Sequence, residues 1–316
     1  MMQTVTASAP GKIILFGEHA VVYGRPAIAA PVSHLRAQAV VAPGALPGVR
    51  LLAPDLDIEK HLDDFADDDA FAVAVRQVRQ AAGLAALPDL TITVTSQIPI
   101  AGGLGSGAAI AAAVIRALLQ FLELPHLLAP ESISRLVYAV EKIHHGTPSG
   151  VDNTVVTYEQ PVYFVRRQPH NLIETFHVAR PLRLLIGDTG IRSSTRVAVG
   201  DVRRRWEADP ATFEALFDGC GEIARGARAA IETGDAAEIG RLMRANQQLL
   251  GPMTVSSPEL DRLVAAAEAA GALGAKLSGA GRGGNMIALV TPPTETAVRA
   301  ALLAAGAQRV LATTLG

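Results

Sequence analysis

One passage restricts the fold more than any other, because three kinds of backbone follow one another there with no linker. Leu90 to Thr95 reads Leu-Thr-Ile-Thr-Val-Thr, the period-two alternation of a half-buried strand. Pro99 to Ala109 then supplies Gly102, Gly103, Gly105 and Gly107, and Ser106 to Leu124 carries strong helix formers with no breaker after Gly107. A strand that feeds a helix through a glycine turn demands a mixed α and β architecture. It also sets backbone N–H groups at a helix N-terminus, where phosphate oxygens are favoured.

Two familiar phosphate-binding patterns do not fit this turn. Gly103, Gly105 and Ala108 satisfy a G-x-G-x-x-A spacing, but the connection from the strand is too long for the tight dinucleotide-binding turn. A P-loop needs Gly-Lys-Ser/Thr, and none follows.

Two further segments bear on chemistry. In Ala9 to Gly24, Lys12 interrupts an extended run that continues Ile13-Ile14-Leu15-Phe16 and ends at Gly17-Glu18-His19. A lysine in an apolar strand needs a carboxylate or an anionic ligand beside it, and paired with Asp152 it would form a charged couple; the alternative is a strand-end lysine that snorkels to solvent. The segment Lys276 to Gly284 has more glycine than turning requires, and Ser278 adds a hydroxyl. Successive amides with free φ bind anions, so two such loops suggest a clamp.

Elsewhere, Ile133, Leu136, Val137 and Val140 mark an amphipathic helix that starts after Pro130 and runs toward His144. Glu141 falls in its last turn, where a negative charge opposes the helix dipole unless a cation compensates. Gly146 to Gly150 reads as a loop. Leu182 to Ile186 is an expected strand, and helices dominate from Thr195 to about Gly271, one of them capped by Ser257 with Pro258 behind it. The chain then reads strand, glycine loop, strand Met286 to Thr291, helix Glu295 to Ala305 and strand Arg309 to Thr313. The acidic run Asp63 to Asp69 and residues 43–54 read as surface excursions.

Composition removes other classes. With 49% hydrophobic and 18% charged residues over 316 positions, the chain can bury the core of two lobes. A net charge of -2 gives no field for a nucleic-acid backbone, so no nucleic-acid partner is expected. Met1 to Ser8 lacks a secretory pattern, and Arg116 breaks the longest apolar stretch, so no membrane association is expected. Cys220 is the single cysteine, read as a packed thiol in a cytoplasmic protein.

Taken together, the three glycine-bearing segments resemble, in order and spacing, the motifs of the GHMP small-molecule kinases. Pro10 to Gly24, with Lys12, Glu18 and His19, looks like the opening motif of the branch that phosphorylates mevalonate. Glu141 to Asn153 is similar to that branch's catalytic segment, and Asp188 to Thr195 to its substrate-side loop. The resemblance implies an α+β fold with a ribosomal-S5-like lobe over 1–175, a ferredoxin-like lobe over 176–316, and a site in the cleft between them. It implies ATP and Mg2+ as cofactors and the 5-hydroxyl of mevalonate as acceptor, in isoprenoid precursor biosynthesis. Asp152 would be the base and Lys12 the cation that lowers the hydroxyl's pKa. Glu18, His19 and Thr195 would contact the substrate. Gly102, Gly103, Leu104, Gly105, Ser106, Gly107 and Ala108 would hold ATP, together with Ser278, Gly279 and Gly281, while Glu141 and Ser106 would serve the metal.

Two positions depart from the family pattern. Gly107 stands where a second, metal-contacting serine is usual, and Arg282 replaces a glycine, pointing either to the phosphates or to solvent. Phosphomevalonate as acceptor, the 3-hydroxyl of mevalonate, and a noncatalytic nucleotide or metabolite sensor are the competing readings. Intact Lys12, Glu141 and Asp152 argue against the sensor. Oligomeric state is left open, with a homodimer admissible.

Overall fold

A computed structural model describes residues 3–99, 102–145 and 148–316, without the side chains of His144 and His145. Ile100 and Ala101 of the second glycine segment, and Gly146 and Thr147 of the loop read at 146–150, lie outside the described residues. The chain divides into two compact units, residues 1–12 with 33–159 and residues 13–32 with 160–316. It passes from one unit to the other within β1 (Val5–Phe16), within β2 (Ala27–Pro43), and after Glu159.

In the first unit the C-terminal part of β2 pairs antiparallel with β5 (Leu90–Ser96) from Ala37 against Ser96 to Pro43 against Leu90. β3 (Val49–Ala53) runs parallel to β5, and β4 (Ile58–His61) completes the edge antiparallel to β3. Four helices pack on one another, α1 (Ala70–Ala81), α2 (Ser106–Phe121), α3 (Pro130–His145) and α4 (Val151–Tyr158). The alternation read at Leu90 to Thr95 appears as buried Leu90, Ile92 and Val94. α2 is almost wholly sunk in the core, so its alanines serve close helix packing rather than an amphipathic face.

In the second unit Ala27 to Ala29 of β2 pair antiparallel with β6 (Val162–Val165), which pairs with β7 (Leu172–Thr175). A four-stranded antiparallel sheet has the order β11-β8-β10-β9, built from β8 (Leu182–Asp188), β9 (Gly274–Ser278), β10 (Asn285–Val290) and β11 (Arg309–Leu315). α7 (Ala236–Leu250), α8 (Pro258–Ala269) and α9 (Glu295–Ala304) pack on this sheet, preceded by α5 (Thr195–Ala208) and α6 (Pro210–Thr233). Ser257 caps α8 as expected, its Oγ accepting from the Leu260 amide at 3.4 Å.

One reading needs correction and two gain detail. Residues 49–53 are not an excursion but β3, whose Val49, Leu51 and Ala53 are buried in strand alternation among the flanking Pro and Gly. Asp69, the last of the acidic run, is a helix cap, its Oδ1 accepting from Phe71 N and Ala72 N at 2.9 and 3.2 Å. α2 ends at Phe121, three residues short of the expected Leu124.

Candidate active site

Strand β1 delivers Lys12, and the second glycine segment is laid directly against it. The Lys12 amide donates to Leu104 O at 2.9 Å. Gly105 has φ +72°, and a Cβ there would stand 2.8 Å from Lys12 Cγ. Glycine at 105 is thus required twice, by the left-handed backbone and by the lysine stem. Gly105 is also the N-cap of α2, and as a glycine it offers no side chain of its own to cap that end. The first amides of α2, at Ser106, Gly107 and Ala108, are therefore available to an anion.

Asp152 lies in the first turn of α4, behind the left-handed Gly150, where the helix dipole favours negative charge. Its Oδ1 is 3.0 Å from Lys12 Nζ. Lys12 is only 5% exposed, so the ion pair sits in a partly dehydrated environment, with the carboxylate more open than the ammonium. Among the expected residues, Lys12, Asp152 and the Gly102–Ala108 turn are thus brought together within the first unit. Glu141, near the end of α3, is 2% exposed. Asn153 joins α3 to α4, its Nδ2 donating to Ser134 Oγ at 2.8 Å and to Ser134 O at 3.2 Å.

The residues assigned to substrate and to the third loop lie in the second unit. His19 has φ 59° and is buried, and its Nε2 donates to Ala280 O at 3.0 Å. Burial pushes its imidazole down to about 4; the Ala280 carbonyl pulls the other way and Arg282 adds to the lowering. Glu18 does not reach the surface, for its carboxylate forms an ion pair with Lys276 and both side chains are fully buried. Ser278 spends its hydroxyl on the backbone, accepting from Ile14 N at 3.1 Å and donating to Ile14 O at 2.8 Å. Gly279 and Gly281 adopt left-handed φ, consistent with a loop that needs φ freedom. Thr195 opens α5 and is exposed. The neighbouring Thr189 ties its segment to the third loop, its hydroxyl donating to Gly284 O at 3.0 Å.

Arg282 has partners within the second unit. Its guanidinium pairs with Asp201 of α5, and its Nε donates to Thr254 O at 3.2 Å. Lys276 as a partner for Glu18 is absent from the sequence expectations. The signal is present, since Lys276 interrupts an apolar strand between Ala275 and Leu277 as Lys12 interrupts β1.

Among the described residues no three His, Cys, Asp or Glu side chains cluster as a metal cage. The oxygen donors Glu141 and Ser106 still suit a hard cation that keeps water and phosphate ligands. No helix among the described residues is long and apolar enough to cross a membrane.

Comparison with known proteins identifies the family. The family model described as GHMP kinases N terminal domain matches residues 70–160, and GHMP kinases C terminal matches residues 227–308. A mevalonate kinase of Thermococcus onnurineus is 36% identical over 321 aligned positions, spanning 96% of this chain and 93% of its own. The crystal structure of L. major mevalonate kinase in complex with R-mevalonate has a TM-score of 0.84 at 30% identity, covering 98% of this chain and 95% of that one. The Methanococcus jannaschii mevalonate kinase has a TM-score of 0.81 at 25% identity, with 99% and 98% covered.

Proposed function

The chain belongs to the GHMP kinases, within them to the mevalonate kinases, and on that premise we propose that it transfers the γ-phosphoryl group of ATP to the 5-hydroxyl of mevalonate. The observation that carries the reading is the 3.0 Å pair of Lys12 and Asp152 beside the glycine N-cap of α2. Phosphoryl transfer needs little covalent help from protein. It needs an aligned hydroxyl, a neutralised phosphate chain and a proton acceptor.

Asp152 accepts the proton of the attacking hydroxyl. Lys12 holds that carboxylate in place and stabilises the negative charge that develops on the oxygen. The glycine turn and the first amides of α2 receive phosphate oxygens, the N-cap itself being a glycine. Glu141 and Ser106 would hold magnesium, which would supply charge neutralisation of the triphosphate. Gly107 carries no hydroxyl, so Ser106, a water or phosphate oxygens would take its place on that ion. His19 and Thr195 stay assigned to the acceptor, and Ser278, Gly279 and Gly281 to the nucleotide, on the strength of the family motifs.

The Asp152→Asn variant tests the reading. It keeps the fold and ATP affinity while kcat falls by roughly 10²- to 10⁴-fold, the scale of a positioned acid–base group. A variant that folds and turns over at the parent rate removes Asp152 from the reaction.

A further inference from the structure

Glu18 and Lys276 form a fully buried ion pair that the proposed chemistry does not use. Lys276 Nζ also donates to Leu277 O at 2.6 Å. Cys220 lies within electrostatic reach of both charges, and it and Lys276 are each at 0% exposure. The Cys220 thiol, pushed up to about 12 chiefly by burial and next by Glu18, registers the same enclosed pocket. Two charges withdrawn from water this completely persist only when each satisfies the other.

What the pair joins is specific. Glu18 precedes His19, a non-glycine residue held at φ 59°. Lys276 and Ser278 project from the same face of β9, two residues apart. That face meets the Ile14–His19 segment through Lys276 to Glu18 and through both Ser278 bonds to Ile14, and Ala280 just beyond β9 receives His19. The ion pair is the charged element of this seam, and it lies directly behind the strained residue.

We infer that Glu18 and Lys276 are a positioning pair, which fixes His19 and the third glycine loop from the protein interior, and that Glu18 makes no contact with the acceptor alcohol. The inference rests on the reading of the chain as a mevalonate kinase for its choice of substrate, and on the buried geometry for everything else. Lys276 follows from the same logic. Burial drives its ammonium downward and Glu18 opposes the drive, so each partner is needed to keep the other charged.

A double-mutant cycle of Glu18→Gln, Lys276→Met and the combined variant tests it, read by kcat, by KM for mevalonate and by the ligand-free thermal midpoint. Each single variant is expected to lose at least about 10-fold in kcat/KM for mevalonate, because each removes the opposite charge from a buried ion and loosens His19. The combined variant regains more than half of the lost midpoint and of the logarithmic loss in kcat/KM, the coupling expected of a pair that acts as a unit. A combined variant no better than Glu18→Gln in kcat/KM, with Lys276→Met close to the parent, makes Glu18 a substrate contact and overturns the inference.

If the single variants do not fold, the unmodified enzyme decides. With ¹³C-labelled glutamate, saturation with mevalonate leaves the Glu18 carboxylate signal in place. A displacement as large as that of the His19 imidazole overturns the inference. Should the parent enzyme ignore mevalonate and phosphorylate another alcohol, the functional reading fails by itself, and the same cycle run on that alcohol still tests the pair.

Discussion

His19 shows how much a single position can be asked to hold. Its backbone is left-handed, its ring is buried, and its Nε2 proton is committed to the Ala280 carbonyl. An imidazolium there would lose hydration and face Arg282, so the ring stays neutral down to about pH 4. The unfolded chain takes up this proton near 6.5, whereas the folded chain does not until about 4. Between these values the unfolded state binds more protons, so stability rises with pH. The contribution is complete above 6.5 and is lost as pH falls toward 4, worth roughly 3 kcal/mol at the limit. Denaturant unfolding at about pH 7.5 and about pH 5 should show this loss in the parent and a flatter profile in His19→Asn, asparagine being tolerant of the left-handed region. Equal slopes would contradict the assignment. At this scale the sequence is half legible. Lys12 in an apolar strand announces a carboxylate partner and Asp152 supplies it, whereas the same signal at Lys276 is masked because the family motif assigns Glu18 to the substrate.

At the scale of elements, α4 carries the proposed base Asp152, and it is only eight residues long. Thr154, Val155, Val156 and Thr157 are poor helix formers, which is why nothing in the sequence marks a helix after Gly150. Context makes the helix. The Thr154 hydroxyl donates to Gly150 O at 2.6 Å and the Thr157 hydroxyl to Asn153 O at 2.7 Å. At the C-terminal end Arg116 of α2 donates to Thr157 O at 2.6 Å and to Ser8 O at 2.8 Å, and it pairs with Glu159. Arg36 completes the anchor, 2.8 Å from Glu159 Oε2 and 2.9 Å from Ser8 Oγ.

Arg116→Ala should therefore lower kcat by about 10-fold with KM little changed, since a helix loosened at its far end lets Asp152 drift from Lys12. Arg116→Lys should recover only part of the loss, because one ammonium cannot serve two carbonyls and a carboxylate as a guanidinium fork does. Steady-state kinetics on both variants, beside their thermal midpoints, check this. A parallel fall in stability with unchanged kcat would reduce Arg116 to packing. The other elements are readable where a period or a cap is strong, as in β5 and α8. β3 is not, because a five-residue strand between prolines and glycines offers less pattern than the breakers around it.

For the whole molecule, the motifs read in the sequence distribute over two compact units. Lys12, the Gly102–Ala108 turn, Glu141 and Asp152 belong to the first, and Glu18, His19, Thr195 and the third glycine loop to the second. Glycine spacing is legible across this whole span because backbone needs at phosphate sites leave few residue choices. Side-chain partners are less so, since a pair such as Lys276 with Glu18 joins positions 258 residues apart and no local rule connects them.

The proposed chemistry stands on the Lys12 and Asp152 pair activating a primary hydroxyl of mevalonate. Purified protein with ATP, magnesium and mevalonate, followed by proton-coupled phosphorus NMR of the product, decides the matter. The expected spectrum has an ester phosphorus split into a triplet by the two protons of the adjacent methylene. A product singlet, from phosphate on the tertiary carbon, or phosphorylation of 5-phosphomevalonate but not of mevalonate, would refute it.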